Sequence, residues 1–496
     1  MPRPAARPER FAVESSNLLI IMDDKHSQQT LGCYGHPAAL TPNIDRLAAS
    51  GTRFKAAYTN CPICIPSRAS FATGRYVHEI GAWDNAFPYE GSPPGWGHRL
   101  TAAGRRYTSI GKIHYRNTEA PTGIGEQIIP LHAPNGGVGD IFASVRDGEG
   151  LPVRLNNERM SSEIGPGESS YTKYDREITE RARRWLGEEA LQHADRPWTL
   201  FVSLTCPHFP FIAPPEFYEM YPLDEIPMPR EHPSGGRAWH PWIKCLDDCA
   251  PYEDYFDDHK KRVAIASYLG MCSYVDSNVG KILAALDEAG LTGETRVIFA
   301  SDHGDNLGAR GLWGKSTMYE ESAAVPLIIS GPGVPAGKVS KTPVSLVDLY
   351  PSALDCAGLP LTEEEASLPG DSFFKIAGAP DEPGREIFSE FHALGAVSAL
   401  FMIRRGRFKY IHYTGFAPEL FDLEADPGEM NNLAGDPTHQ GILRECEAAL
   451  RARFDPEEVD RRAKADQAAL VERHGGREAV IARGNSFASP PPGEKE

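Results

Sequence analysis

No apolar run in this 496-residue chain is long enough to span a bilayer, so a helical membrane protein is excluded and no membrane partner is expected. Residues 1–16 are rich in Pro, Arg and Ala and lack the apolar core of a secretory leader. The first apolar run, 18–22, meets Asp23 and Asp24 at once and reads as a buried strand, so the expected location is cytoplasmic. Cysteine is scarce and odd in number: nine residues in this length are not a disulfide framework. Positive charge is in deficit, with 51 Lys and Arg against 68 Asp and Glu and a net charge of −17. Such a field repels nucleic acid and other polyanions. It leaves room for a small anion in a locally positive pocket, above all one whose far end is neutral or cationic. No internal repeat is present.

What the chain does have is alternation. Strand patterns at 18–22, 107–110, 198–204, 296–300 and 325–329 are interleaved with helix patterns at 42–49, 67–73, 175–191, 262–289 and 344–357. Apolar strands alternating with helices predict an α/β domain, a large mixed, mostly parallel sheet sandwiched by helices. Residues 117–171, dominated by Gly, Pro and polar side chains, read as loops over the active face. After 378 the pattern changes to short antiparallel strands at 386–390, 399–404 and 408–412, a turn-rich stretch at 419–433 and a helix at 440–454. The expected organisation is an extension at 1–16, a catalytic domain at 17–378, a smaller α+β domain at 379–455, and a helix with an extended tail at 456–496. The tail is a candidate for packing on a neighbouring copy, hence an expected homo-oligomer.

The chemistry-bearing residues cluster by position. Asp23 and Asp24 follow the first strand, and Asp302 and His303 follow the strand at 296–300. Ligands collect at the carboxyl ends of strands in open α/β sheets. Three carboxylates and an imidazole make a hard site for a divalent cation: Ca²⁺, Mg²⁺ or Mn²⁺. Taken singly, each pair is better read as capping residues at a turn; both together, with the cysteine motif, reverse that. Cys64 and Arg68 lie one helical turn apart and share a face, and a helix N-terminus at Cys64 favours an anion there. Cys64 also fits a buried structural thiol, or a redox or zinc pair with Cys61, although no second Cys-x-x-Cys and no thioredoxin-like context accompanies it. Lys112 and His114 share a face of an extended segment, a fixed charge beside a proton-transfer group. His208 follows the strand at 198–204, and Lys315 ends the glycine-punctuated loop 311–315.

The stretches NLLIIMDD, TPNIDRLAASG, CIPSRASFATGR, GKIH, CPHFPF, SDHGDNLGARGLWGK, VPLIISGPG and ELFDLEADPGEMNNL run from about residue 16 to 435. Through them the chain resembles the type I sulfatases of the alkaline phosphatase superfamily. The resemblance implies an alkaline phosphatase-like fold and one divalent metal, Ca²⁺ first, held by Asp23, Asp24, Asp302 and His303. It implies that Cys64 is oxidised to formylglycine by a formylglycine-generating enzyme and becomes both nucleophile and metal ligand. Arg68 and Lys112 would orient the formylglycine hydrate, and Lys112, Lys315 and His208 would bind the sulfate oxygens. Lys315 or His208 would protonate the leaving oxygen, and His114 would take the proton of the remaining hydroxyl. The chain departs from the common pattern at Phe71-Ala72 and at His303, where many arylsulfatases have Asn. Asp24 stands where phosphonate monoester hydrolases usually have a non-acidic residue, which favours a sulfatase.

Residues 239–259 mix Trp239, Trp242, Tyr252, Tyr255 and Phe256 with Asp247, Asp248, Asp254, Asp257 and Asp258. Such a mixture can cage a cationic group by cation–π contacts of about 0.5–2 kcal/mol each, or simply form an acidic loop anchored by its aromatics. Some bacterial relatives hydrolyse choline sulfate, and SDHGDNLGARGLWGK resembles their form of this motif. The expected activity is a sulfatase acting on a small-molecule sulfate ester. A phosphonate monoester or phosphodiester hydrolase on the same scaffold, and a non-catalytic sulfate-ester binder, are the alternatives.

Overall fold

A computed structural model describes residues 15–146, 151–193, 196–230 and 239–494; the expected extension at 1–16 lies almost wholly outside them. Its core is an eight-stranded sheet. In spatial order the strands are Lys338–Ser340, Thr52–Phe54, Leu327–Ser330, Thr295–Ser301, Asn17–Asp23, Trp198–Ser203, Arg106–Lys112 and Glu126–Leu131. All neighbours pair parallel except Leu327–Ser330, which is antiparallel to both of its partners.

Asn17–Asp23 lies at the centre and every residue in it is buried. A strand covered on both faces must be apolar throughout, which is why it reads as a run and not as an alternation. Leu19 and Ile21 pack with Ile178, Val275 and Val279 of the helices Ser170–Arg184 and Asp258–Glu288. Leu18, Ile20 and Met22 pack on the other side with Ala69, Phe71 and Leu354, from the helices Cys64–Thr73 and Leu349–Cys356.

Several boundaries differ from the sequence reading. The stretch 117–171 is not all loop, because Glu126–Leu131 forms the edge of the main sheet. It carries Pro130, is only partly buried and lacks a clean apolar signal, as edge strands do. Val344–Ser345 is a short strand pairing with Ala57–Tyr58, and the helix occupies only Leu349–Cys356. The helix expected from residue 67 begins at Cys64.

The C-terminal sheet is a meander of Ile387–Phe391, Leu400–Arg405, Phe408–Tyr413 and Glu419–Asp422, each antiparallel to the next. Its fourth strand lies in the stretch read as turns. The helix Gln440–Arg451 covers it with Cys446 and Leu450. Two further helices, Pro456–Arg473 and Gly476–Arg483, precede the tail. The tail packs on its own chain, against Tyr171, Phe209 and His114. Among the described residues no helix is long and apolar enough to cross a membrane.

Candidate active site

Strand register brings the distant motifs together. Asn17–Asp23 and Thr295–Ser301 are parallel neighbours with Asp23 opposite Ser301, so Asp24 and Asp302 leave the sheet side by side. On the other flank Met22 is level with Ser203, and Ser203 with Gly111, so Lys112 emerges at the same height.

The helix Cys64–Thr73 points its first turn at this edge. Ser67 Oγ donates to the Asp302 carbonyl at 2.8 Å. Arg68 is fully buried and spreads its guanidinium over the site. Its Nε donates to Asp302 Oδ2 at 2.8 Å, and its Nη1 donates to the Lys112 carbonyl at 2.7 Å and to Ser203 Oγ at 3.0 Å. Its Nη2 lies 3.5 Å from Asp24 Oδ2, which also meets Lys112 Nζ at 2.5 Å. The charges of this buried cluster are thus paired, as removal from water demands.

Cys64 Sγ lies 3.2 Å from His303 Nε2, accepts from Lys315 Nζ at 2.8 Å, and sits 3.7 Å from Asp24 Oδ1. Ligand atoms of Asp24, Cys64, Asp302 and His303 all lie within 4.8 Å of one another, and all four residues are buried. His303 Nδ1 donates to the Gly304 carbonyl at 3.0 Å, which leaves the Nε2 lone pair turned into the cluster. Such a donor set fits a single divalent cation. Asp23 stands beside the four. Its Oδ2 meets His26 Nδ1 at 2.6 Å, while its buried Oδ1 has no hydrogen-bond partner among the described residues.

The electrostatics follow from burial and crowding. Burial and Asp24 push the Cys64 thiol up, but Lys315, Lys112 and His303 outweigh them and hold it below its ordinary value. Burial also raises Asp24, and Lys112, His208, His303 and Lys315 overcome it, holding the carboxylate well below its usual range. Burial, then Lys112 and Arg68, drive His114 well below the normal imidazole value; burial, with Lys315 and Lys112, does the same to His208. Both rings are thereby biased toward the neutral form. His208 donates Nδ1–H to the Phe209 carbonyl at 2.7 Å.

Cys64, Lys112, His114, His208 and Lys315 face one cavity of about 120 Å³, room for a small organic ester's head. Every catalytic candidate read from the sequence except Arg68 lines it; Arg68 lies behind, on Asp302, the Lys112 carbonyl and Ser203. Of the aromatic and acidic residues named at 239–259, only Asp247 and Tyr252 reach it. Trp242 is buried and donates to the Ser398 carbonyl at 2.8 Å, Phe256 stacks on Trp313 at 3.8 Å, and Asp257 caps a helix. This segment is therefore mostly scaffold.

Three contributors were missed. Lys25 lines the cavity and pairs with Asp305 at 2.6 Å; its place beside the acidic pair was the available signal. Asp175 accepts from the Thr205 and Cys206 amides at 2.7 and 2.8 Å and so fixes the turn that carries His208. Residues 486–489 form a wall of the cavity, and nothing in their composition announced it.

A mostly parallel sheet with this buried cluster at its carboxyl edge defines an alkaline phosphatase-like hydrolase of oxyanion esters. The sulfatase family model matches residues 16–359, and that of the N-sulphoglucosamine sulphohydrolase C-terminal region matches residues 308–455. The chain is 31% identical to choline-sulfatase of Rhizobium meliloti (strain 1021), over 91% of this chain and 89% of that one. It is 29% identical to human (Homo sapiens) arylsulfatase K, over 87% and 81%. The solved phosphonate monoester hydrolase of Agrobacterium radiobacter superposes with a TM-score of 0.71 at 25% identity, over 88% and 96%. The chain belongs to the sulfatase family and is a sulfuric ester hydrolase.

Proposed function

We propose that the enzyme cleaves a small organic sulfate monoester to alcohol and sulfate, using formylglycine made from Cys64 by a formylglycine-generating enzyme. The observation that carries this reading is the position of Cys64 Sγ, 2.8 Å from Lys315 Nζ and 3.2 Å from His303 Nε2 inside the four-donor cluster. Asp24, Asp302, His303 and residue 64, with Asp23 alongside, would hold one divalent cation, Ca²⁺ for an oxygen-rich site, which would supply Lewis-acid polarisation of the sulfuryl oxygens. As hydrated formylglycine, position 64 supplies one hydroxyl to attack sulfur and a second whose deprotonation expels sulfate.

The chain's own residues do the rest. Arg68 and Lys112 hold the edge of the site and the attacking hydroxyl. Lys112, Lys315 and His208 face the sulfuryl oxygens, where charge persists while the alcohol departs, in a site shielded from water. Lys315 or His208, both lining the cavity, donates the leaving-group proton, and Lys315 Nζ is the one that reaches Cys64 Sγ, at 2.8 Å. His114, neutral and lining the cavity, accepts the proton of the second hydroxyl. Leu312, Trp313, Tyr252 and Phe487 give the alcohol an apolar, aromatic surround. The relatives named choline-sulfatase and arylsulfatase K support a small alkyl or aryl alcohol.

The test is the mass of the peptide containing Cys64 from the native host, together with sulfate release. An aldehyde in active enzyme supports the reading; an unmodified thiol in fully active enzyme overturns it. The superposition on a phosphonate monoester hydrolase supports a second reading, phosphonate or phosphodiester cleavage by the same residues. Turnover of an aryl sulfate against the matching aryl phosphonate separates the two.

A further inference from the structure

Beyond the helix Gly476–Arg483 the chain turns back to the cavity that holds Cys64. Specific contacts fix it there. Asn485 Oδ1 accepts from the Leu155 amide at 2.7 Å, and the Ser486 carbonyl accepts from Arg154 Nη2 at 2.9 Å. Burial raises the Asp140 carboxyl to about 6, against the lowering pull of Arg154 and the Ser486 backbone. Phe487 packs on Phe209 at 5.9 Å between ring centroids, under the Arg154 guanidinium at 4.7 Å. The Ser489 carbonyl accepts from Tyr171 Oη at 2.8 Å. Ordering a glycine-, serine- and proline-rich strap costs about 1–2 kcal/mol per residue in backbone entropy, so contacts of this density are needed to hold it.

The last contact reaches the chemistry. Ser489 is 6% exposed, and its Oγ lies 2.8 Å from His114 Nε2. His114 Nδ1 is buried without a partner among the described residues. The His114 backbone is left-handed, at φ 57°, and its amide donates to the Leu131 carbonyl at 2.9 Å. A non-glycine residue keeps such a conformation only where its surroundings enforce it. One ring nitrogen engaged by a hydroxyl and the other without a partner is an arrangement a general base can use.

We propose that residues 485–489 are a working wall of the active site, in which Ser489 positions His114 by accepting its Nε2–H, leaving the Nδ1 lone pair as the base, and Phe487 selects the alcohol that leaves. Ser489 is a positioning residue, since it acts through His114. The proposal rests on the sulfatase reading for the role of His114.

The experiment compares the parent enzyme with Ser489→Ala, Ser489→Thr and Phe487→Ala, each normalised to its aldehyde content at position 64. Ser489→Ala is expected to lower kcat about ten-fold with KM nearly unchanged, and Ser489→Thr, which keeps the hydroxyl, to recover most of it. Phe487→Ala is expected to raise KM for an aryl sulfate several-fold more than for a short alkyl sulfate. ¹⁵N spectra of histidine-labelled protein, with His114 assigned through its own variant, read the tautomer without turnover. The parent and Ser489→Thr should show Nδ1 unprotonated and Nε2 protonated, and Ser489→Ala a mixture. Parent-like kcat together with an unchanged His114 spectrum in Ser489→Ala overturns the positioning role. A parent-like aryl-to-alkyl ratio in Phe487→Ala overturns the selecting role. A parent inactive on every sulfate ester overturns the proposed function, and the spectra still decide the role of Ser489.

Discussion

Lys315 Nζ stands 2.8 Å from Cys64 Sγ although 251 positions separate the two residues. The same Nζ is 3.0 Å from His303 Nε2, so one side chain touches both the nucleophile's position and the candidate metal cluster. In the proposed reaction this ammonium is within reach of an ester bound at residue 64.

Replacing Lys315 by Ala should therefore lower kcat/KM by about 10²–10³-fold, the range for losing a proton donor or one oxyanion contact. An ester with a more acidic alcohol needs less protonation, so its loss should be smaller. Steady-state rates on two aryl sulfates of different phenol acidity check this. An equal loss on both would place Lys315 in ground-state binding instead.

Arg68 is a different case, because it is fully buried and holds Asp302, the Lys112 carbonyl and Ser203 together. Arg68→Ala leaves buried carboxylates uncompensated and should cost about 3–5 kcal/mol of stability. Arg68→Lys should also fail to restore the site, since an ammonium cannot reach three directions at once. Denaturant midpoints of the two variants read the outcome; parent-like stability in Arg68→Ala would show the cluster to be self-sufficient.

Chelation should lower both activity and the thermal midpoint, because a cation that binds only the folded cluster stabilises it by mass action. Ca²⁺ should restore both, with Mn²⁺ the informative comparison. His303→Ala should remove most of the metal-dependent rise in the midpoint. A thermal midpoint indifferent to chelator and added cation would count against a metal at Asp24, Asp302 and His303.

Asp175 gives a pH signature. Burial raises its carboxyl from 3.8 to about 6, against the lowering effect of the Thr205 and Cys206 hydrogen bonds. The folded pKa exceeds the unfolded one, so the folded state binds the proton more tightly. Its stability contribution is fully present below pH of about 4 and is lost as pH rises through about 6. Asp175→Asn cannot titrate and should flatten the pH dependence of the thermal midpoint across that window. It should also loosen the turn before His208 and weaken substrate binding. An unaltered pH profile of stability would contradict the assignment.

Much of this protein was legible in its sequence because the relevant signals are local. The fully buried strand at 18–22 announces itself as an apolar run, and Asp23-Asp24 and Asp302-His303 follow their strands directly, so their place at a carboxyl edge needs no tertiary knowledge. Cys64 and Arg68 share one helix. The edge strand Glu126–Leu131 was lost because an edge needs neither continuous apolarity nor freedom from proline. The segment at 239–259 stayed open between a cage and an anchored acidic loop, because aromatic content does not say which cavity a ring faces; Trp242 and Phe256 face scaffold, as the anchored loop requires.

By itself the sequence determined the α/β class, the central strands of the sheet and the candidate residues around position 64, because backbone periodicity and short motifs are written along the chain. Tertiary structure decided which side chains meet. It put Lys315 on Cys64 through a loop whose path no local pattern specifies, and of the five aromatics named at 239–259 it brought Tyr252 to the cavity. It also brought Ser489 within 2.8 Å of His114, across 375 positions, from a tail that composition marks only as extended. A chain of glycine, serine and proline has no periodicity to read, so its place is set wholly by the partners it finds.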